Sequence, residues 1–266
     1  MTFLRRTLPV LFLLSLFSLS GAIAQAKTEP STDKAAALIA EGDELATKKF
    51  DNSAALAKFD EAYAITPNNV DLLIFLSRTY VDIGEHLPAK TDAEKQEQLK
   101  YYERSLDYAN KAIAANPAGS MGYTRRAIAN GRVALFRGVW ESLDLVKQVK
   151  ADIEKALGLD VKNATAHYIM ARTHAKVAER PRIVRWPLGL SWASYEEAAK
   201  HFEQAIALRP GFIMYRLDAA RTYVELEEYA KAKEQLMLIS TLTKEDEDDD
   251  QFRKEAAELA EKIKNE

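Results

Sequence analysis

The sequence predicts an all-α fold, a solenoid of helical hairpins ended by a capping helix, and three observations carry that expectation. The strong helix formers Ala, Leu, Glu and Lys dominate the 266 residues, whereas glycine occurs only 10 times. No stretch alternates apolar and polar residues as a half-buried strand would. A small–aromatic–small signature, Ala198, Phe202 and Ala205, ends at Pro210, and it recurs upstream as Ala55, Phe59 and Ala62 before Pro67. The small residues let two helices approach closely, the ring fills the space between them, and proline cannot continue the second helix.

A helical pair of this kind, repeating at about 34 residues, is the signature of a tetratricopeptide (TPR) repeat. The expected domain is a single TPR-like solenoid over residues 35–266, with five repeats and a cap. Residues 1–26 read as a secretory signal peptide: Arg5 and Arg6 start it, residues 8–19 are nearly all apolar, and Ala22, Ala24 and Ala26 offer small-x-small cleavage sites. Its removal takes the formal net charge from −3 to −5. The location expected from it is periplasmic or secreted; the alternative is a membrane anchor formed by an uncleaved N-terminus. Residues 27–34 read as a polar linker, with Thr32 or Asp33 capping the first helix.

The first repeat covers residues 35–69, with Leu38, Gly42 and Leu45 on its first helix. Gly42 falls where the two helices cross most closely. The second starts at Val70, with Leu73, Leu76, Ser77 and Tyr80 facing Ser105, Ala109 and Ala112 of a helix over 101–115, which Pro117 stops. Between them, residues 85–98 read as a charged insertion broken by Pro88. The third repeat pairs Tyr123, Ala127 and Asn130 with Val149, Ile153 and Ala156; Val139 and Trp140 mark its turn. The fourth pairs His167, Met170, Ala171 and His174 with the helix of Ala198 and Phe202, across a long insertion at 179–192. The fifth holds Ala220, Tyr223, Leu226, Tyr229 and Ala232. A last helix over 251–263 places Phe252, Ala256, Leu259 and Ile263 on one side, as a cap over the final core face requires.

Four segments carry a more specific resemblance: RRAIANGR at 125–132, AHYIMAR at 166–172, PRIVR at 181–185 and ASYEEA at 193–198. With them the chain, from the second repeat to the cap, resembles the regulator of microtubule dynamics family, whose members carry a helical TPR-like domain. The resemblance implies that fold and a non-enzymatic binding role. Eukaryotic members are associated with microtubules and organelle membranes; an export signal departs from that setting, so microtubule binding is not carried over.

The ninth position of each repeat faces the concave side. In the second, fourth and fifth repeats it is Arg78, Arg172 and Arg221, in the motifs SRTY, ARTH and ARTY; the third has Ile128 there. Arg125 and Arg132 lie nearby on the third repeat. Guanidinium groups grip carboxylates and phosphates through paired hydrogen bonds, so an arginine-lined groove is a candidate anion site. The other reading is that each arginine pairs with an acid of a neighbouring repeat. Ile74, Val81, Tyr168, Leu217 and Val224 are the apolar groove positions. The insertion mixes Arg180, Arg182 and Arg185 with Ile183, Val184, Trp186 and Trp192, which suits a membrane interface or a lid. Equally, it could pack its tryptophans back onto the repeats.

Other chemistry finds little support. There are no cysteines, which removes disulfides, thiolate metal sites, cysteine catalysis and a lipoprotein anchor. No Ser-His-Asp signature, phosphate-cradling glycine loop or nucleotide fingerprint occurs. His167 and His174 are seven apart on packing positions, and His86 and His201 have no partner in sequence. The acidic run 245–250 lacks the glycine and ligand spacing of a calcium loop and precedes a helix, whose dipole favours negative charge there. The expectation is a protein without catalytic residues, metal or cofactor that recognises a peptide or protein segment in its groove. The alternative is a lipid- or amphiphile-binding protein with residues 180–192 as lid or membrane contact. The slightly negative net charge gives no push toward nucleic acid.

Overall fold

The computed structural model describes residues 30–138 and 141–266. The signal-peptide reading of 1–26 and the turn at Val139 and Trp140 lie outside the described residues. Among those described there are twelve α-helices and no strand. Helix α1 (Pro30–Thr47) pairs with α2 (Asn52–Tyr63), α3 (Val70–His86) with α4 (Asp92–Ala115), and α5 (Ser120–Arg137) with α6 (Leu143–Leu159). In the fourth repeat α7 (Ala164–Ala178) pairs with α9 (Tyr195–Leu208), and the insertion holds α8 (Arg182–Arg185) and a 3-10 turn (Trp186–Leu188). Then α10 (Ile213–Glu225) pairs with α11 (Tyr229–Ile239), and α12 (Asp249–Lys262) covers the end.

The helix starts follow from short polar side chains. Asp51, Asn69, Asn163 and Ser194 each accept a backbone N–H three residues on, at 2.9, 3.0, 2.9 and 3.2 Å. At Thr91 the cap is reciprocal, because the Glu94 carboxylate reaches back to the Thr91 N–H at 2.8 Å. That box corrects the reading of 85–98 as a charged insertion. Pro88 stands in a short link, 87–91, and the charged residues after that link wind two extra turns onto α4. The linker is corrected likewise. Helix α1 is already running at Pro30, so Thr32 and Asp33 lie inside it rather than capping it.

Close crossings occur where small residues stand. A Cβ built on Gly42 would come 2.5 Å from the Phe59 ring, which is itself fully buried. Ala198, Phe202 and Ala205 are buried together with Tyr215, Ala220 and Ala256, so α9, α10 and α12 share one core. At the α3–α4 crossing the Ser105 hydroxyl donates to the Ser77 carbonyl at 2.7 Å, which lets a polar pair sit in a fully buried place. Repeats three and four are tied by Asn163, whose amide donates to Ser120 Oγ at 2.7 Å and Thr124 Oγ1 at 3.0 Å.

The stack curls far enough for its ends to meet. The loop between α11 and α12 returns to the first two repeats, where Asn52 Nδ2 donates to Glu247 Oε2 at 3.1 Å. His86 Nδ1 lies 2.8 Å from Glu247 Oε1, and its Nε2 lies 3.1 Å from Asp248 Oδ1.

Candidate functional site

The first helix of each hairpin lines the concave side, and the curl encloses a cavity of about 850 Å³ there. Arg78 and Asp82 come from α3, Arg125 and Ile128 from α5, Tyr168 and Arg172 from α7, and Tyr215, Asp218 and Arg221 from α10. The returning loop 243–248 forms the rim. A second, more apolar cavity of about 390 Å³ continues from it along α5, α7, α9 and α10; both share Ile128, Ile169, Arg172 and Asp218.

The recurring arginines are paired, and the pairs join neighbouring repeats. Arg78 reaches Asp43 of the first repeat at 3.4 Å and Asp82 on its own helix at 3.8 Å. Arg172 lies 3.6 Å from Asp218 of the fifth repeat. Arg221 donates to Asp218 at 2.8 Å and to Glu255 of the capping helix at 2.5 Å. Arg132 bridges to Glu85 of the second repeat. These pairs are only partly buried, so they hold repeats in register while their outer edges still face the cavity.

Arg125 is different. It is half-buried and lines the cavity, its Nε has no hydrogen-bond partner, and it forms no ion pair among the described residues. Burial, and then the neighbouring Arg78 charge, lower its pKa to about 10. The facing carboxyl, Asp82, is pushed up to about 7 by burial, against the pull of Arg78 and Arg125. Arg125 thus faces a carboxyl whose charge is weakened by burial.

Tyr168 also faces the cavity. Its hydroxyl donates to Asp218 Oδ2 at 2.7 Å, and its ring stacks on Tyr215 with centroids 4.4 Å apart. Ile74 and Leu217, expected beside it, are not groove residues. Leu217 is fully buried in the core of α9 and α10, and Ile74 packs on the first core and lines a separate pocket with Asn116 and Gly119. An aliphatic side chain at that position is drawn into the nearest core, whereas Tyr168 has an acceptor that keeps its hydroxyl at the cavity. Val81 lines the cavity, while Val224 packs on the last core. Further apolar lining comes from Phe50, Phe212, Met214 and Phe252, at loops and helix starts where the repeat pattern carries no signal.

The insertion divides into an anchor and a tip. Arg185, expected as a contact residue, is buried. It donates to the carbonyls of Arg180 at 2.7 Å, Ala193 at 2.5 Å and Leu190 at 3.3 Å, and so clamps the loop shut. Trp192 packs edge-on against His174 at 4.9 Å, with Lys150 over its ring. Arg182, Ile183, Val184 and Trp186 project outward, Trp186 being 72% exposed.

The histidines expected at packing positions do pack there. His167 Nε2 donates to the Val161 carbonyl at 3.0 Å, which leaves its Nδ1 to accept from His201 Nδ1 at 3.0 Å. So His201 does have a partner, as does His86 in Glu247 and Asp248. Burial, and then the nearby His201, lower the pKa of His174 to about 4. For His86, burial opposes the charge, but the Asp82 carbonyl, Asp248 and Glu247 raise its pKa to about 9.

A family model for regulator of microtubule dynamics protein 1-3 matches residues 38–264. Regulator of microtubule dynamics protein 1 of Mus musculus is 29% identical over 195 residues, 71% of this chain and 63% of that protein. Regulator of microtubule dynamics protein 3 of Bos taurus is 26% identical, over 71% of this chain and 40% of that protein. The chain thus spans less than two thirds of the length of these curated relatives. Among solved structures, a thermophilic TPR protein of Thermus thermophilus, TTC0263, aligns with a TM-score of 0.60 at 19% identity, covering 84% of this chain and 97% of that one, which shows the shared fold. The match across nearly all the described helices places this chain in the regulator of microtubule dynamics protein 1-3 family.

Proposed function

We propose that this protein is an exported, non-enzymatic scaffold that holds a peptide or protein segment of a partner in its concave groove. Solenoids of helical hairpins offer extended concave binding surfaces. The observation that carries the reading is Arg125, which lines the larger cavity with its Nε unpartnered among the described residues, in a cavity that also has aromatic lining and adjoins the more apolar one. A segment with one carboxylate near Arg125 and apolar side chains along α7 and α10 would satisfy both ends of the groove. Export is supported by the charge, apolar run and small residues of 1–26. The relatives are named for microtubule dynamics; an exported chain would share their fold and mode of binding rather than that partner.

A second reading, an amphiphile in the same groove, is favoured by one observation. Ile183, Val184 and Trp186 are exposed on the insertion, whose flanking residues Glu179 and Tyr195 line the apolar cavity. Mass spectrometry of the protein purified from its native host without detergent separates the two. Co-purifying peptides or protein fragments support the first reading, and stoichiometric lipid in their place supports the second. N-terminal sequencing of the same material should start near Gln25 or Lys27, and an intact Met1 would reject cleavage.

A further inference from the structure

We propose that His86, Glu247 and Asp248 form a binding site for a divalent transition-metal ion of the zinc type, which staples the loop before α12 to the end of α3. The curl of the solenoid brings these residues together from segments about 160 positions apart, with one ligand atom of each within 4.8 Å of the others. His86 is oriented as a zinc-binding histidine is. Its Nδ1 lies 2.7 Å from the Asp82 carbonyl one turn earlier, so Nδ1–H donates there and an ion takes the place of the Nε2 proton; Glu247 Oε1, 2.8 Å from Nδ1, reaches that ion by a change of rotamer. Nε2 lies 3.1 Å from Asp248 Oδ1, close to the separation of about 3.3 Å between neighbouring ligands on a tetrahedral zinc with bonds of about 2.0–2.2 Å.

The surroundings also favour a cation. Arg209 and Lys244, the nearby basic residues, are engaged with Glu245 at 2.9 Å and Asp250 at 2.6 Å. Among the described residues, the side chains that meet the Glu247 and Asp248 carboxylates are His86 and Asn52. Asn52 donates to Glu247 through Nδ2, and its Oδ1 is buried without a donor, a further oxygen beside the site. One imidazole with carboxylate oxygens suits zinc better than calcium, which takes six to eight oxygens. All four residues lie on the rim of the larger cavity, so the ion would hold the groove mouth closed.

Titration calorimetry with zinc chloride on chelator-treated protein tests the site. One zinc per chain is expected, with a raised melting temperature. Affinity should fall at least tenfold in His86→Gln and in Asp248→Asn and stay unchanged in Asp250→Asn, whose carboxylate pairs with Lys244 outside the site. If circular dichroism shows His86→Gln unfolded, Asp248→Asn on the loop carries the same expected loss. No saturable uptake at about 0.1 mM zinc, uptake indifferent to both substitutions, or equal uptake of calcium would overturn the proposal.

Discussion

The Tyr168 hydroxyl donates to Asp218 Oδ2 across the boundary between the fourth and fifth repeats, at 2.7 Å. The same carboxylate receives Arg221 and faces Arg172, so one acid at the cavity floor closes two repeats.

That sharing sets an order of effects. Asp218 is less exposed than either arginine, and its loss strands a tyrosine and two guanidiniums. Asp218→Ala should cost about 2–3 kcal/mol, between the values for exposed and buried pairs. Replacing Arg172 and Arg221 together by Ala should cost less, about 1–2 kcal/mol, because each is partly solvated and Tyr168 still serves the acid. Urea denaturation measures both; an arginine double mutant costing more than Asp218→Ala would contradict the arrangement.

The helix crossings make a second test. Gly42→Ala drives a methyl group into the Phe59 ring, and Ala198→Leu overfills a fully buried place. Each should cost roughly 1–3 kcal/mol. A thermal melt unmoved by either would mean that the hairpins do not cross there.

These crossings show why most of the fold was legible in the sequence. Gly42, Ala198 and Phe202 carry a steric requirement that no other residue type meets equally well, so spacing alone locates them. Pro88 misled, because a proline with charged neighbours looks like a long loop, whereas the Thr91–Glu94 box restarts a helix three residues on. The candidate site was less legible. Arg78, Arg172 and Arg221 were visible as a recurring position, but their pairing depends on Asp43, Asp218 and Glu255, which recur nowhere. Ile74 and Leu217 were assigned by register to a face that the core takes up. The meeting of His86 with Glu247 follows from the curl of the whole stack, which no local pattern encodes.

Acid should weaken the fourth repeat through His174. In the unfolded chain its imidazole titrates near 6.5, and in the fold near 4, so both forms are neutral above about 6.5. Below that pH the unfolded chain takes up the proton first, and stability is lost until the folded pKa is passed. The loss attributable to His174 should be on the order of 2 kcal/mol by about pH 5. Comparing wild type with His174→Gln across pH 5–7.5 isolates it; equal slopes would contradict the buried neutral imidazole.

The insertion should respond unevenly. Arg185→Ala removes the buried guanidinium that three carbonyls share and should cost about 2–4 kcal/mol. Trp186→Ala, at the exposed tip, should change stability by about 0.5 kcal/mol or less. Equal losses in the two variants would mean that the tip is packed rather than presented to solvent.

The claim that the concave groove is the binding surface meets its most direct test in site-specific photocrosslinking within the native host. A crosslinking residue at Ile128, where the two cavities join, should capture a peptide or protein partner. The same residue at Lys147, exposed on α6, should not. Capture from Ile128 should fall at least tenfold when Arg125 is replaced by Glu. Equal capture from Lys147, or capture from Ile128 that ignores Arg125→Glu, would contradict the account.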